Sequence, residues 1–327
     1  VYLDRFLEAA IEVDVDALCD GKDVFVGGIL EHIEMAGIHS GDSACCTPPF
    51  SLSLSLQGQL RDIARRLALR LGVVGLLNIQ FAIKDQVIYV IEANPRASRT
   101  VPFVSKSTGV PLAKIAARIM AGEKLADLHL PADDREFDYF CVKEAVMPFG
   151  RFPGSDVVLG PEMKSTGEVM GIAGNFPAAF TKTQLAIDYE PPRGGEVFIS
   201  VNDGDKRNIT AIARSVARLG FSLVATTGTA RALRASGIEC EEVGKIHAGS
   251  HTILDRIASG EIVLMINTPF GSSTNTDGYE MRAACVRHGV SYCTTLAGAQ
   301  ALIAGMEAVR ETGLDVIALQ DLPQWEG

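Results

Sequence analysis

The chain has 327 residues, of which 47% are hydrophobic and 21% are charged, a balance typical of globular proteins with enough length for two domains or three small ones. Thirty basic and forty acidic residues give a net charge of −10, which argues against a general binder of nucleic acid or of anionic membranes. Seven cysteines without a C-x-x-C pair favour reduced thiols in a cytoplasm over a disulfide framework or a zinc site.

The first part of the chain, residues 1 to about 105, has the period-two alternation and short turns of β-strands. No apolar run approaches the ~18 residues of a membrane-spanning helix. The predicted elements are the strands "IEVDVDALCDG" and "KDVFVGGILEHIE", a turn at "GIHSGDS", the amphipathic helix "SLQGQLRDIARRLALRLG", a hairpin of "GLLNIQFAI" and "VIYVIEANP", and the helix "PLAKIAARIMAG".

The last part of the chain alternates strands with helices. Residues 121–190 are a mixed connector rich in Gly and Pro, and "YEPPRGG" at its end is the predicted boundary. The strands that follow are "EVFISV", "FSLVATTG", "EIVLMINT" and "VSYCTT", and the helices are "DKRNITAIARSVARLG", "TARALRASG", "DGYEMRAACVRHG" and "LAGAQALIAGMEAVRE". This alternation predicts a parallel sheet with helices on both faces.

The hairpin carries the first candidate site. If its turn lies at Asp85–Gln86, residues whose numbers add up to about 172 are opposite each other, so Gln80 faces Glu92 at a Cβ separation of ~4.5–5.5 Å. Asn94 shares that face because side chains alternate along a strand. One carboxylate and two amide oxygens suit Mg²⁺, which completes its coordination with water and phosphate oxygens.

Two arginines follow this strand. Arg96 and Arg99 lie just beyond it, within reach of an oxyanion, so that the hairpin predicts a site for a hard cation and a phosphate, as phosphoryl transfer requires. Alternatively, Glu92 and Asn94 are solvated residues of a half-exposed strand, and Arg96 only pairs with Glu92. Spacing alone leaves both interpretations open.

A longer stretch distinguishes them. "IEANPRASRTVPFVSKSTGVPLAKIAARIMAG" resembles the segment that closes an ATP-grasp active site in carbamoyl-phosphate synthetase large subunits, whereas biotin-dependent carboxylases share only its E-x-N-x-R core. "RTVPFVSKSTG" resembles the second, carbamate-phosphorylating unit. The resemblance covers essentially the whole chain. It implies the C-terminal portion of an ATP-grasp fold, an antiparallel sheet with helices, over residues 1–120, a connector packed on it at 121–190, and a parallel-sheet methylglyoxal-synthase-like α/β domain at 191–327.

The resemblance also implies roles for particular residues. The metal ligands between ATP phosphates would be Gln80, Glu92 and Asn94, and the residues that hold carbamate and the transferring phosphoryl group would be Arg96 and Arg99 beside Asn94. The nucleotide-binding residues would be Arg5 and Leu7 at the adenine, Glu12 at the ribose, and Gly37, Ile38, His39 and Ser40 in a loop. An ornithine-like effector would lie near Glu34, Asp42, Glu144 and Thr294.

A second candidate site lies in the α/β part. Thr226 and Thr229 in "VATTGTA" stand at a predicted helix N-terminus, which favours a phosphate, although a threonine there is also an ordinary helix cap. Asn267 ends a strand at the carboxyl edge, where ligands bind in open α/β sheets. The resemblance implies a pocket for UMP or IMP formed by Lys206, Thr226, Thr229, Lys245 and Asn267. Pro269 departs from the family's phosphate-binding threonine, so the identity of the effector stays open.

The implied reaction is in-line transfer of the ATP γ-phosphoryl group to carbamate, giving carbamoyl phosphate for pyrimidine and arginine biosynthesis. It requires ATP and Mg²⁺, with Mn²⁺ as a substitute and K⁺ as an additional ion. The implied partners are the rest of the large subunit, a glutaminase small subunit and the mononucleotide, with no nucleic acid or membrane, in the cytoplasm.

The chain opens on Val1 without a methionine, so we expect a piece of a longer protein that lacks the flexible lid over the nucleotide. The isolated chain should therefore turn over little or no ATP. An alternative is a nucleotide-sensing module with no catalytic role of its own. A stand-alone methylglyoxal synthase is disfavoured, because its catalytic carboxylate cannot be placed.

Overall fold

The computed structural model describes residues 7, 10–151, 156–244, 253–268 and 276–323. Arg5, Lys245 and Pro269 lie outside these residues. The chain forms two compact units, one of Val1–Ala145, Glu168–Thr183 and Leu314–Gly327 and the other of Val146–Gly167 and Gln184–Gly313. Each unit is thus assembled from separate segments, and the domain limits expected at residues 120 and 190 stay predictions.

The first unit is built on a seven-stranded sheet. Its strands are β1 (Ile11–Asp20), β2 (Val24–Met35), β3 (Cys45–Thr47), β4 (Val74–Lys84), β5 (Val87–Asn94), β6 (Phe140–Val146) and β7 (Gly167–Ala173), in the order β5-β4-β1-β2-β3-β6-β7. Its helices are α1 (Leu54–Arg70), α2 (Val101–Thr108), α3 (Leu112–Met120) and α4 (Phe176–Ala186). The antiparallel pairing of β1 with β2 and β4, and of β4 with β5, agrees with the predicted antiparallel sheet.

One face of this sheet is covered by α1. The helix begins at Ser53, whose side chain accepts a hydrogen bond from the Leu56 backbone N–H, and it buries Leu56 and Leu60. Val13 and Val15 of β1 are fully buried in the same apolar cluster. The residues that alternate with them on β1, Glu12, Asp14 and Asp16, therefore point to the opposite face, where the polar side chains of the candidate site lie.

Two glycines of β2 let helices approach that opposite face. A Cβ at Gly27 would lie 2.7 Å from Leu112 Cδ1 of α3, and a Cβ at Gly28 would lie 2.8 Å from Val104 Cγ1 of α2. Any larger residue at either position would force the Leu112 or Val104 side chain, or the helix that carries it, to shift. This close packing places the start of α2, and the loop before it, near the polar face.

The second unit is a five-stranded parallel sheet. Its strands are β8 (Glu196–Ser200), β9 (Ser222–Thr226), β10 (Glu241–Val243), β11 (Ile262–Asn267) and β12 (Ser291–Cys293), in the order β10-β9-β8-β11-β12. Its helices are α5 (Ile209–Arg218), α6 (Thr227–Ala235), α7 (Ile253–Ala258), α8 (Thr276–His288) and α9 (Leu296–Thr312). The parallel pairing confirms the prediction. The strand order reverses at β8, so a crevice for ligands is expected beyond the ends of β8 and β11.

The cysteines are all free thiols. Burial raises the pKa of Cys45 and of Cys285 to about 12, so both stay protonated at neutral pH and serve as small apolar side chains.

Among the helices of the described residues, none is both long and apolar enough to cross a membrane.

Candidate functional site

The β4–β5 hairpin aligns the predicted metal ligands. Its turn residues Asp85 and Gln86 have φ angles of 51° and 63°, and Gln80 pairs directly with Glu92, as predicted. Closer to the turn, Phe81 pairs with Val90, so that the intervening Ile91 forms a bulge. If the register near the turn continued without this bulge, Gln80 would face Ile91, and Glu92 would point to the other side of the sheet.

Gln80, Glu92 and Asn94 thus share one face of the hairpin. The Asn94 amide donates a hydrogen bond to Glu92 Oε1 at 2.7 Å, and the Glu92 side chain is exposed. No group of three or more His, Cys, Asp or Glu side chains that could hold a metal occurs in the described part of the chain. One carboxylate with two amide oxygens fits Mg²⁺ only as part of a shell completed by phosphate oxygens and water.

The arginines after β5 are available to an anion. Arg96 and Arg99 are both exposed, and the Arg96 guanidinium donates to the Ala97 carbonyl oxygen at 3.1 Å. Within the residues that the structure describes, no ion pair joins Arg96 to Glu92, whereas the exposed Glu92 agrees with the alternative of a solvated strand end. The strand end therefore presents the Glu92 carboxylate and the Arg96 guanidinium on its exposed surface, followed by Arg99.

A third set of groups, of which the sequence analysis named only Glu12, lies on the same face of β1. Glu12, Asp14 and Asp16 alternate along the strand with exposed fractions of 9%, 1% and 0%. His32 of β2 lies beside two of them, with Nε2 3.1 Å from Asp14 Oδ2 and Nδ1 3.9 Å from Glu12 Oε1. Burial alone would lower the pKa of His32, but Asp14 and then Glu12 outweigh it and raise that pKa above its ordinary value. A protonated His32 would offset part of the buried negative charge.

Asp16 connects three segments of the site. Its carboxylate accepts hydrogen bonds from Asn78 Nδ2 at 3.0 Å, from Ser98 Oγ at 2.8 Å and from Thr100 Oγ1. Ser98 and Thr100 flank Arg99, so a single buried carboxylate fixes the arginine loop on both sides of that residue. Burial raises the pKa of Asp16 to about 6, although the three donors oppose the rise. In the sequence, the signal for Asp16 is the alternation of acidic with apolar residues along the predicted strand.

The predicted nucleotide loop packs against Glu12. Gly37 has a φ of 106°, a backbone conformation that favours glycine, and its N–H donates to Glu12 Oε2 at 3.3 Å. The buried Lys143 donates to the Ser40 carbonyl oxygen at 3.2 Å. The loop therefore lies beside the carboxylate expected to bind ribose, whose pKa is raised by burial.

The other predicted nucleotide residues are less informative. His39 accepts a hydrogen bond from the Gly41 N–H at its Nδ1, 3.0 Å away, which orients the ring within the loop. Ile38 is half-buried in the same loop, and Leu7 is half-buried before β1. Arg5 lies outside the described residues. The roles of all these residues toward a nucleotide stay predictions.

The predicted ornithine-like site is divided between the units. Glu34 accepts hydrogen bonds from Ser43 Oγ at 2.8 Å and from the Ala44 N–H at 2.7 Å, while Asp42 is buried. Glu144 is half-buried in β6 of the same unit. Thr294 follows β12 in the second unit, so its grouping with the other three residues stays a prediction.

In the second unit, hydroxyl groups cluster where β8 and β9 end. Thr226 Oγ1 lies 3.3 Å from Thr229 Oγ1 and 3.4 Å from Ser200 Oγ. The Thr226 side chain makes no capping hydrogen bond to α6, which disfavours the interpretation as an ordinary helix cap. Ser200 joins this cluster although sequence analysis did not single it out.

Lys206 and Asn267 complete the described part of this pocket. Lys206 pairs with Asp203, and a Cβ at Gly228 in the first turn of α6 would lie 2.9 Å from its Nζ. Asn267 ends β11 and donates through Nδ2 to the Ser200 carbonyl oxygen at 3.1 Å. These contacts bring a cation, hydroxyls and an amide to the crevice of the sheet, a combination suited to an anionic ligand. Lys245 lies outside the described residues.

Comparisons with known proteins agree with both parts. Residues 1–128 match the model for the carbamoyl-phosphate synthase L chain, ATP binding domain, and residues 208–294 match the MGS-like domain. Part of the chain is similar in structure to the biotin carboxylase domain of a single-chain bacterial carboxylase, with a TM-score of 0.47 and 20% identity over 56% of this chain and 48% of that one.

Similar sequences cover the whole chain. The carbamoyl phosphate synthase large chains of Methanothermobacter thermautotrophicus and Pasteurella multocida are each 52% identical to it, over 100% and 99% of its length. The chain spans only 31% and 30% of those two proteins. It therefore belongs to the family of carbamoyl phosphate synthase large chains, with an ATP-grasp portion followed by an MGS-like domain.

Proposed function

We propose that this chain supplies the carbamate-phosphorylating ATP site of a carbamoyl-phosphate synthase, a ligase, together with the domain that binds its regulatory nucleotide. The observation that carries the proposal is the bulged hairpin register, which puts Gln80, Glu92 and Asn94 on one face next to the arginine loop. Such a set of hard oxygen ligands and guanidinium groups is what two anionic reactants need in order to approach each other.

The reaction is in-line transfer of the γ-phosphoryl group of ATP to an oxygen of carbamate. Carbamate is already an anion, so the site needs no strong general base, and its work is alignment and charge neutralisation. Glu92 with the Gln80 and Asn94 amides would hold Mg²⁺, which neutralises phosphate charge when bound. Arg96 and Arg99 hold the transferring group and carbamate, and Asp16 keeps their loop in place.

The proposed nucleotide end of the site is supported by the contact of Glu12 with the loop at Gly37. Its carboxylate accepts hydrogen bonds from ribose hydroxyls, while the loop of residues 37–40 covers the nucleotide. Mn²⁺ as a substitute for Mg²⁺ and K⁺ as an additional ion belong to the same proposal, because both bind oxygen ligands.

The remaining parts of the proposal concern the assembly. Since the chain spans about a third of its relatives, the partners are the remainder of the large subunit, which makes carbamate, and a glutaminase that supplies ammonia. The effector is UMP or IMP, and an ornithine-like ligand at Glu34, Asp42, Glu144 and Thr294 is a further candidate. The seven free thiols favour a cytoplasmic location.

The decisive experiment isolates this site within the assembled synthase. Phosphorylation of ADP by carbamoyl phosphate is the reverse of the proposed step, whereas bicarbonate-dependent ATP hydrolysis belongs to the other ATP site. We expect Glu92→Gln to lower the first rate about 100-fold, as the loss of one charge-stabilising group does, and to change the second about 2-fold or less. The matched control is Glu123→Gln, which removes a surface ion pair with Arg118. Equal loss of both activities would contradict the assignment.

For the isolated chain, the second candidate function is nucleotide sensing without catalysis. It is favoured by the effector pocket, whose described residues all lie in one unit. The expected result is saturable binding of UMP or IMP with no ATP turnover. A robust Mg²⁺-dependent ATPase that Glu92→Gln abolishes would contradict it.

A further inference from the structure

Arg282 of α8 is buried at the edge of the effector pocket, with 4% of its surface exposed. It donates to both carboxylate oxygens of Asp156, from Nε at 2.8 Å and from Nη2 at 2.6 Å. Its remaining nitrogen, Nη1, donates to Asn267 Oδ1 at 2.8 Å. One guanidinium thus joins a carboxylate to the amide of a predicted effector-binding residue.

These contacts fix which way the Asn267 amide points. A guanidinium can only donate hydrogen bonds, so the atom of Asn267 beside Arg282 must be the oxygen. The Ser200 carbonyl can only accept, so the atom beside it must be the nitrogen, at 3.1 Å. The amide oxygen is therefore turned to a buried cation, and within residues 253–268 and 276–323 no group accepts the second N–H of the amide, which can serve a ligand.

The position of Asn267 makes that N–H relevant to binding. Asn267 and Ser200 end β11 and β8, the two strands between which the strand order reverses, and the Ser200 hydroxyl lies 3.4 Å from that of Thr226. We propose that Arg282 and Asp156 are positioning residues that hold Asn267 as a hydrogen-bond donor, which selects effectors with an acceptor oxygen at this point. The inference rests on the proposed effector pocket and deepens it.

Two further observations support a fixed position of Arg282 between Asp156 and Asn267. Burial alone would raise the pKa of Asp156, but the hydrogen bonds from Arg282 lower it below its ordinary value, so the carboxylate stays ionised beside the guanidinium. A Cβ at position 278 would lie 3.0 Å from Arg282 Nη1 and 3.5 Å from Asn267 Oδ1, so Gly278 leaves the room that the contact needs.

The same unit offers a matched control. Arg256 is also buried among carboxylates, with Nη2 of its guanidinium near Glu196 Oε2 at 2.5 Å and Nη1 near Glu241 Oε1 at 2.7 Å. Glu196 and Glu241 begin β8 and β10, at the amino edge of the sheet and away from the strand ends that form the pocket. Removing Arg256 should therefore change stability without changing affinity.

The test measures nucleotide binding by the full chain with titration calorimetry, using UMP and IMP, while circular dichroism monitors folding. We expect Arg282→Met and Asn267→Ala each to weaken binding about 10-fold, the size of a hydrogen bond to a charged ligand, and Arg256→Met to leave the dissociation constant unchanged. In the double variant, Arg282→Met should cause no further loss of affinity beyond that of Asn267→Ala, because Arg282 acts through the Asn267 amide.

A second arm locates the acceptor oxygen. If the oxygen belongs to the nucleoside, Asn267→Ala should weaken the binding of UMP and of uridine equally. If it belongs to the phosphate, only the binding of UMP should weaken. Either loss of affinity supports the proposal. Wild-type affinity in a folded Arg282→Met variant, or an equal loss in Arg256→Met, would overturn the inference alone. If the wild-type chain binds neither nucleotide, the effector pocket itself is wrong and the inference fails with it.

Discussion

Gln80 and Glu92 are direct partners across the β4–β5 hairpin, although the residues nearer the turn are aligned one position differently. Ile91 is the extra residue between these two alignments, and 57% of its surface is exposed. The candidate metal ligands are therefore aligned next to a bulge whose extra residue contributes little to the core.

Inserting an alanine between Ile91 and Glu92 should move Glu92 away from its position opposite Gln80, because the strand then has one more residue between Val90 and Glu92. We expect phosphorylation of ADP by carbamoyl phosphate in the assembled synthase to fall at least about 100-fold, as for loss of a charge-stabilising group. Deleting Ile91 closes the bulge and leaves Glu92 opposite Gln80, and Ile91→Ala keeps the register, so both variants should retain activity. Full activity in the insertion variant would rule out a role for this alignment.

The Asp16 carboxylate should make the stability of the chain depend on pH. Its pKa is about 6 in the folded protein against 3.8 for an ordinary aspartate, so the folded state binds more protons between these values. The stability contribution of Asp16 is thus complete below about pH 4 and falls as the pH rises through 6, by about 3 kcal/mol at most.

The measurement is the free energy of unfolding of the wild type minus that of Asp16→Asn, from denaturant titrations at several pH values. This difference should decrease from pH 4 to pH 7, since asparagine does not titrate. A difference that stays level or increases would show that the buried carboxylate is ionised throughout.

Thr100 should matter through its hydroxyl. Thr100→Val keeps the shape of a side chain that is 4% exposed but removes a donor to Asp16. Leaving this carboxylate short of a partner should cost about 1–3 kcal/mol of unfolding free energy. Thr100→Ser retains the hydroxyl and should recover most of the loss in the same denaturant titration, and failure to recover it would assign the effect to the methyl group instead.

His32 should stabilise the first unit most at mildly acidic pH. Its pKa is raised by Asp14 and Glu12, so its contribution is fully present below about 6.5 and is lost as the pH rises through the higher folded value. We expect His32→Gln to lower the melting temperature more at pH 6 than at pH 9. His288→Gln, at an exposed position of α8, is the control. A larger effect at pH 9 would contradict a protonated His32.

Local patterns were enough to predict the hairpin and the parallel sheet. Alternating apolar residues and the Asp85–Gln86 turn gave the register to within one residue, because a hairpin's register depends on residues close in sequence, and the bulge at Ile91 brings Glu92 opposite Gln80. Helix α2 was missed, since its eight residues are too few to show a helical period and the β-branched Val101 and Val104 in its first turn favour a strand.

The contacts that organise the two sites could not be predicted in this way. Asp16 meets Asn78 and Thr100 across 62 and 84 residues, and Arg282 meets Asp156 across 126. Such long-range contacts depend on how strands and helices pack against one another. The spacing of residues along one element does not predict that packing. Likewise, β6, β7 and α4 lie in a stretch whose Gly and Pro content predicted only a connector.

The segmented construction of the first unit has a consequence during synthesis on the ribosome. Leu322, with Ile317 and Leu319 beside it, packs into the same apolar cluster as Leu18 and Phe25 of the first two strands. Every segment of the second unit is made before these residues emerge. The second unit can therefore finish folding first, while β1 and β2 must wait with part of their core uncovered until residues 317–322 leave the exit tunnel.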